Sequence, residues 1–220
     1  KAAALNDAIA RTAHPRNDFR TEEARRYTRW MVDYAHESIP AGGLLLDLGC
    51  AAGKQTFQAE QLGARVIGLD GAFEMLRIAR TVADDTGSAA AFMRGDYNRL
   101  PFAADCLEAV LFPKNLVECS YGEAAGLAHE IARVLRPGGR LILTLPDSLK
   151  PFAAHPERFA GYDPVTGRSA NPVTIPGQGE YENPGYFWTC AFAVHVFSAA
   201  LRLVSVTEMQ SGVSLILMEK

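Results

Sequence analysis

The sequence predicts an α/β fold, a mostly parallel sheet with helices on both faces, and three observations carry that prediction. Apolar runs suited to strands alternate five times with amphipathic helical stretches between Leu44 and Leu145. The first alternation contains a turn of small residues, Gly49-Cys50-Ala51-Ala52-Gly53, between a strand and a helix. The chain then closes with one helix and two further strands that suit an antiparallel pair. In open sheets of this kind ligands collect at the C-terminal ends of the strands.

Taken in order, the first forty residues show no strand signal but predict a helix from Thr21 to Ser38, opened by Thr21 and the acidic pair Glu22 and Glu23. Tyr27, Trp30, Met31 and Tyr34 recur at helical spacing and form a packing stripe. Arg16, Arg20, Arg25, Arg26 and Arg29 are interleaved with Asp18, Glu22 and Glu23, which suits a solvated helix face better than a nucleic-acid site. Leu44, Leu45 and Leu46 form a run of the type buried on both faces of a sheet. After the small turn, a helix from Gly53 to Leu62 points its free N–H groups back at that turn. Val66 to Leu69 is the second strand and ends at Asp70, where an acid can accept both hydroxyls of a ribose.

Phe73, Leu76, Ala79 and Ala83 trace a helix that Gly87 ends. Ala90 to Arg94 is the third strand, leading into Gly95-Asp96-Tyr97, and Cys106 to Phe112 the fourth. Glu123 to Arg136 is a helix with Ala124, Leu127, Ile131, Val134 and Leu135 on one face, stopped by Pro137-Gly138-Gly139 ahead of a fifth strand, Arg140 to Leu145. From Asp147 to Gly185 the alternation stops, with six prolines and five glycines. Aromatics recur there and just beyond, at Phe152, Phe159, Tyr162, Tyr181, Tyr186, Phe187 and Trp188, and they favour an ordered lid. Order returns with a helix from Cys190 to Leu201, a strand from Leu203 to Met209, a turn at Ser211-Gly212 and a strand from Val213 to Met218.

The turn lacks the G-x-G-x-x-G spacing of a dinucleotide site. Asp47, just ahead of it, would repel a pyrophosphate and attract an ammonium group, so the ligand is expected to carry a cation. D-x-G-x-A-x-G over residues 47–53, followed by V-I-G-L-D over 66–70, resembles the class I S-adenosylmethionine-dependent methyltransferases, whose first motif is E/D-x-G-x-G-x-G. Ala51 stands at the second glycine position. Gly95-Asp96-Tyr97 resembles the step at which that family's acid accepts the adenine amino group, and Leu100-Pro101-Phe102 with Cys106 to Phe112 resembles its L-P-F stretch, with Leu107 and Glu108 replacing the usual Phe and Asp. R-V-L-R-P-G-G over 133–139 is a further match.

The resemblance implies one domain over 1–220, with a Rossmann-like seven-stranded mostly parallel sheet, helices on both faces and a C-terminal antiparallel hairpin. It implies S-adenosylmethionine as cofactor, held by Asp47, Gly49, Cys50, Ala51, Gly53, Asp70, Gly71, Met75, Asp96, Tyr97 and Phe112. An N-terminal helical cap is expected over 1–40, and an inserted lid over the acceptor site at 147–188.

Methyl transfer from a sulfonium is an in-line displacement in which holding the acceptor supplies much of the rate, so no conspicuous catalytic motif is needed. His14, His155 and His195 are the candidates for a general base, none carrying an assignment. Phe112-Pro113-Lys114-Asn115 leaves the fourth strand at the cleft and is not the N/D-P-P-Y/F motif of enzymes that methylate nucleobases or glutamine. Lys114, Asn115, Tyr186 and Trp188 are the expected acceptor contacts. The aromatic insertion favours a small-molecule acceptor. An RNA or protein methyltransferase, or a non-catalytic cofactor-binding regulator, is the alternative.

Composition agrees with one well-buried domain: 220 residues, 48% of them hydrophobic. A net charge of −3 gives no overall attraction for nucleic acid or an anionic membrane, and neither is expected as a partner. Four cysteines without C-x-x-C spacing suit reduced thiols in the cytoplasm, with no metal site. The oligomeric state is left open.

Overall fold

The computed structural model describes residues 2–11, 42–146, 162–163, 165–208 and 213–220. Its centre is a seven-stranded sheet built from β1 (Leu44–Leu48), β2 (Arg65–Asp70), β3 (Ala91–Arg94), β4 (Leu107–Pro113), β5 (Leu135–Pro146), β8 (Arg202–Glu208) and β9 (Val213–Glu219), in the order β3-β2-β1-β4-β5-β9-β8. The first five run parallel, and β9 inserts antiparallel between β5 and β8. The Rossmann-like sheet and its closing antiparallel pair thus stand as the sequence predicts.

The apolar runs become strands because both faces of the sheet are covered. Leu45, Leu111, Ile142, Leu215 and Leu217 bury one face with Ala59 of α2 (Lys54–Gln61). Leu46, Leu48, Val110, Leu141 and Leu143 bury the other against α4 (Tyr121–Val134) and α5 (Cys190–Phe197). Helix α3 (Phe73–Thr86) ends on Gly87 at φ 70°, the left-handed C-cap that glycine supplies without strain. Helix α4 starts two residues before its expected position because Ser120 caps it, with Glu123 closing a capping box. It ends at Val134, and Pro137 to Gly139 lie inside the start of β5 as an irregularity in its pairing with β4.

The expected helix from Thr21 to Ser38 lies outside the described residues. The N-terminal helix seen, α1 (Ala2–Ala10), falls within the span expected as a helical cap, 1–40, but ahead of the one helix that the sequence reading located there. Tertiary contacts hold it. Leu5, Ala8 and Ile9 pack with Ala52, Ala72 and Met75, and Asp7 Oδ1 accepts the Glu74 N–H at 2.7 Å, capping α3 from a distant part of the chain. Asp7→Ala is expected to lower stability by about 1 kcal/mol in urea unfolding, and Asp7→Asn, whose carboxamide oxygen still accepts, by less. Equal losses in both variants would contradict this capping role.

The segment after β5 is not a patternless loop throughout. Its described part forms a separate antiparallel pair, β6 (Arg168–Ile175) and β7 (Gly179–Tyr186), that reverses through Pro176-Gly177-Gln178, with Gly177 at φ 74°. Prolines are tolerated because each strand of a two-stranded sheet is an edge, where a missing N–H need not break a ladder. Ile175 joins the cluster beneath α1, and Gln178 Nε2 donates to the Ala8 carbonyl at 2.9 Å, so hairpin and helix form one layer over the turn at 49–53. At the hairpin's return end Tyr121 donates its hydroxyl to the Phe187 carbonyl at 2.9 Å.

The outer strand β8 carries exposed Leu203, Val204 and Val206, and its pairing with β9 shifts between Leu203 and Ser205, leaving Val204 as an extra residue. Among the described residues no helix is long and apolar enough to cross a membrane.

Candidate functional site

The ends of β1, β2 and β4 bring most of the sequence-selected residues together. Between β1 and α2 the chain turns through three left-handed residues, Gly49 (φ 76°), Ala51 (φ 47°) and Gly53 (φ 84°). Only Ala51 has a Cβ to strain there, at a cost of about 1–2 kcal/mol. Asp70 holds it, because its Oδ2 accepts the Ala51 N–H at 2.8 Å while Oδ1 accepts the Ala72 N–H at 2.7 Å. One carboxylate therefore pins the turns after β1 and β2, and each oxygen keeps a lone pair for a ribose hydroxyl. Burial raises the pKa of Asp70; the backbone N–H bonds oppose that shift and the charge of Asp7 adds to it.

Asp47 is fully buried. Its Oδ2 accepts the Thr56 hydroxyl at 2.6 Å, while Oδ1 has no partner among the described residues. Burial lifts its pKa to about 7, with Thr56 opposing the shift and Asp70 adding to it. A buried carboxylate oxygen with no donor is costly. A cationic group at the end of β1 would satisfy it, so the residues present fit a cofactor that carries an ammonium. Thr56 was not among the sequence-selected residues; its signal was a hydroxyl in the first turn of the helix that follows the turn.

The other expected cofactor contacts divide. Cys50 is buried with its sulfur between Gly68 and the Ala51 carbonyl, and burial and then the charges of Asp47 and Asp70 push its thiol pKa well up. Gly71 accepts Arg94 Nε at 3.1 Å, and Met75 is buried beneath α1. Asp96 is exposed and folds on itself, its Oδ1 accepting both the backbone N–H and the side-chain amide of Asn98 at 2.9 Å. Tyr97 lays its hydroxyl against Gly49, with its ring edge-on to Phe112 at 5.8 Å between centroids. Burial, then the charges of Asp70 and Glu118, push its pKa well up and keep the hydroxyl protonated. Phe112 is fully buried and supports Tyr97 from below.

Two of the expected acceptor contacts and one candidate base are placed elsewhere. Asn115 does not face the acceptor side; its Nδ2 reaches back to the Leu48 and Gly49 carbonyls at 3.0 and 3.1 Å, because Lys114 at φ 59° turns the chain toward β1. Trp188 lines no open surface. It is fully buried between Tyr121 and Phe192, and its Nε1 donates to the Cys119 carbonyl at 3.1 Å, so it anchors the hairpin's return end. His195 stands exposed on α5, stacked on Phe192, outside the strand-end cluster, because α5 packs against α4 and β9. His14 and His155 lie outside the described residues. Tyr186 remains half-buried at the end of β7, and Lys114 is exposed at the end of β4. Burial and then the charge of Lys114 lower the pKa of Lys54, and two cations thus stand near these strand ends.

A family model described as a methyltransferase domain matches residues 45–139, the span from β1 into the start of β5. A demethylmenaquinone methyltransferase of Thermus thermophilus is 36% identical over 123 residues, 54% of this chain and 53% of that protein. An uncharacterized methyltransferase of Mycobacterium avium is 33% identical over 176 residues, 74% of this chain and 68% of that one. The chain spans about half or less of the length of the first relatives it matches. Among solved structures, the PH0226 protein of Pyrococcus horikoshii has the same fold, with a TM-score of 0.78 at 21% identity over 92% of this chain and 93% of its own. The acid at the end of β1, the turn it precedes and the acid that pins that turn all fall within the matched span, and the Mycobacterium relative carries the match through most of both chains. On that ground the chain belongs to the class I S-adenosylmethionine-dependent methyltransferase family, whose cofactor is S-adenosylmethionine.

Proposed function

We propose that the chain transfers a methyl group from S-adenosylmethionine to a small-molecule acceptor, in the cytoplasm. The observation that carries this reading is the layer made by α1 and the β6–β7 hairpin: Leu5, Ile9 and Ile175 cover the turns after β1 and β2, and β7 packs on the short turn Asn115–Glu118 after β4, where a macromolecular substrate would need an open surface. The Thermus relative, whose name gives demethylmenaquinone as its acceptor, supports an acceptor of that size. The bound cofactor supplies an activated methyl on a sulfonium. The residues around it hold and exclude: Asp47 offers its unpartnered oxygen to the ammonium, Asp70 its remaining lone pairs to the ribose, and Asp96 and Tyr97 border the adenine end. Beyond Pro113, Lys114 and Tyr186 are the side chains offered to the acceptor. Holding the acceptor's lone pair in line is worth about 7–11 kcal/mol in well-oriented systems, enough to do without a dedicated base when the acceptor atom is already nucleophilic.

The test is methyl-labelled cofactor incubated separately with low-molecular-weight extract, RNA and protein. Label is expected in the small-molecule fraction, and Tyr186→Ala is expected to cut that transfer more than tenfold with cofactor affinity unchanged. Label in RNA or protein, or binding without transfer to any fraction, would overturn the proposal.

A further inference from the structure

The Asn115 side chain occupies a position that matters to the cofactor. Lys114, left-handed at φ 59°, throws the chain off β4 into a short 3-10 turn (Asn115–Glu118), and Asn115 thereby crosses to the end of β1. Its Nδ2 donates to the Leu48 carbonyl at 3.0 Å and to the Gly49 carbonyl at 3.1 Å. Two carbonyl acceptors fix which end of the carboxamide points there. These carbonyls follow directly on Asp47, whose buried Oδ1 lacks any donor. A methyl group built on Gly49 would run into Asn115 Nδ2 and the Tyr97 hydroxyl, so these two side chains together cover the backbone of the turn. Two carbonyls and an unpartnered carboxylate oxygen gathered at one strand end ask for a group with several N–H donors. The carboxamide supplies donors to the carbonyls but leaves the carboxylate unserved; an ammonium has three and carries the positive charge that pairs with the Asp47 carboxylate.

We infer that Asn115 is an internal competitor for the cofactor's ammonium. It holds the Leu48 and Gly49 carbonyls in the free protein, and S-adenosylmethionine displaces it from them. The inference rests on the cofactor orientation proposed above, with its ammonium toward Asp47.

Calorimetry on the whole chain separates this role from simple support of the turn, because the two have opposite signs. Asn115→Ala is expected to tighten binding of S-adenosylhomocysteine, the demethylated cofactor, about fivefold, the worth of one displaced hydrogen bond. Methylthioadenosine keeps the adenosine and lacks the ammonium, and its affinity is expected to be unchanged. Asn115→Asp, which the carbonyls and Asp47 repel, is expected to tighten S-adenosylhomocysteine binding as well, and it serves if the alanine variant folds poorly. Weaker or unchanged S-adenosylhomocysteine binding in both variants, or equal shifts for both ligands, would overturn the inference. Failure of the unaltered chain to bind S-adenosylhomocysteine at all would instead overturn the cofactor orientation on which it rests.

Discussion

In the absence of cofactor the protein is expected to lose about 4 kcal/mol of stability between pH 4 and pH 8 through one side chain, Asp47, and Asp47→Asn to remove most of that loss. Burial raises the Asp47 pKa from 3.8 to about 7 against the opposing bond from Thr56. In the unfolded chain the group ionises near its ordinary value, so between the two values the folded state binds more protons than the unfolded one. Stability is then fully present below the unfolded pKa and is lost as pH rises through the folded pKa. Asp70, also raised by burial, adds to the slope in the same direction. In Asp47→Asn nothing ionises at this position, and the amide oxygen still accepts from Thr56. Urea unfolding at pH 5 and pH 8 tests the claim: an unaltered slope in the variant would show that the buried proton is not on Asp47. Added S-adenosylmethionine is expected to reverse the trend, because its ammonium favours the ionised carboxylate.

Asp70→Ala is expected to weaken S-adenosylmethionine binding by about 10- to 150-fold and to lower stability by about 2–4 kcal/mol. The affinity loss follows from the ribose hydroxyls losing a charged acceptor. The stability loss follows from the Ala51 and Ala72 N–H groups, which Asp70 now accepts at 2.8 and 2.7 Å and which would be stranded. Ala51 would also be left at φ 47° with nothing to hold it. Relief of the burial cost of Asp70 and of its repulsion with Asp47 offsets part of this, which places the stability effect below the sum of two orphaned donors. Asp70→Asn keeps one good acceptor and is expected to fall between. Calorimetry showing unchanged affinity in Asp70→Ala would remove Asp70 from the ribose.

The strands of the central sheet were legible because burial on both faces writes itself as continuous apolar runs, as in Leu44 to Leu46 and Val213 to Met218. The acids Asp47 and Asp70 were legible from their place at strand ends. Helix α1 was not, because Ala2 to Ala10 has no capping residue or charge pattern and owes its stability to Asp7 and Leu5 meeting elements far along the chain. The β6–β7 hairpin was hidden by its own prolines; the signal that could have found it is Pro176-Gly177 between Val173-Thr174-Ile175 and Glu180-Tyr181-Glu182. Composition could rank Trp188 as aromatic and near the site, but not tell a wall from an anchor. The place of Asn115 just after the fourth strand was legible, but the direction of its side chain depends on the left-handed Lys114, which no pattern announces.

The extra residue at Val204 determines where the sheet stops growing. β8 is the rim of the sheet, and Leu203, Val204 and Val206 would make it an attractive template for strands of neighbouring or half-folded chains. A bulge bends and twists that rim, so its backbone falls out of step with a straight incoming strand. Arg202 and Glu208 add a charge at either end. A single irregular residue thus shields an apolar border from polymerising, at the opposite edge of the sheet from β3 and well away from the cofactor turn.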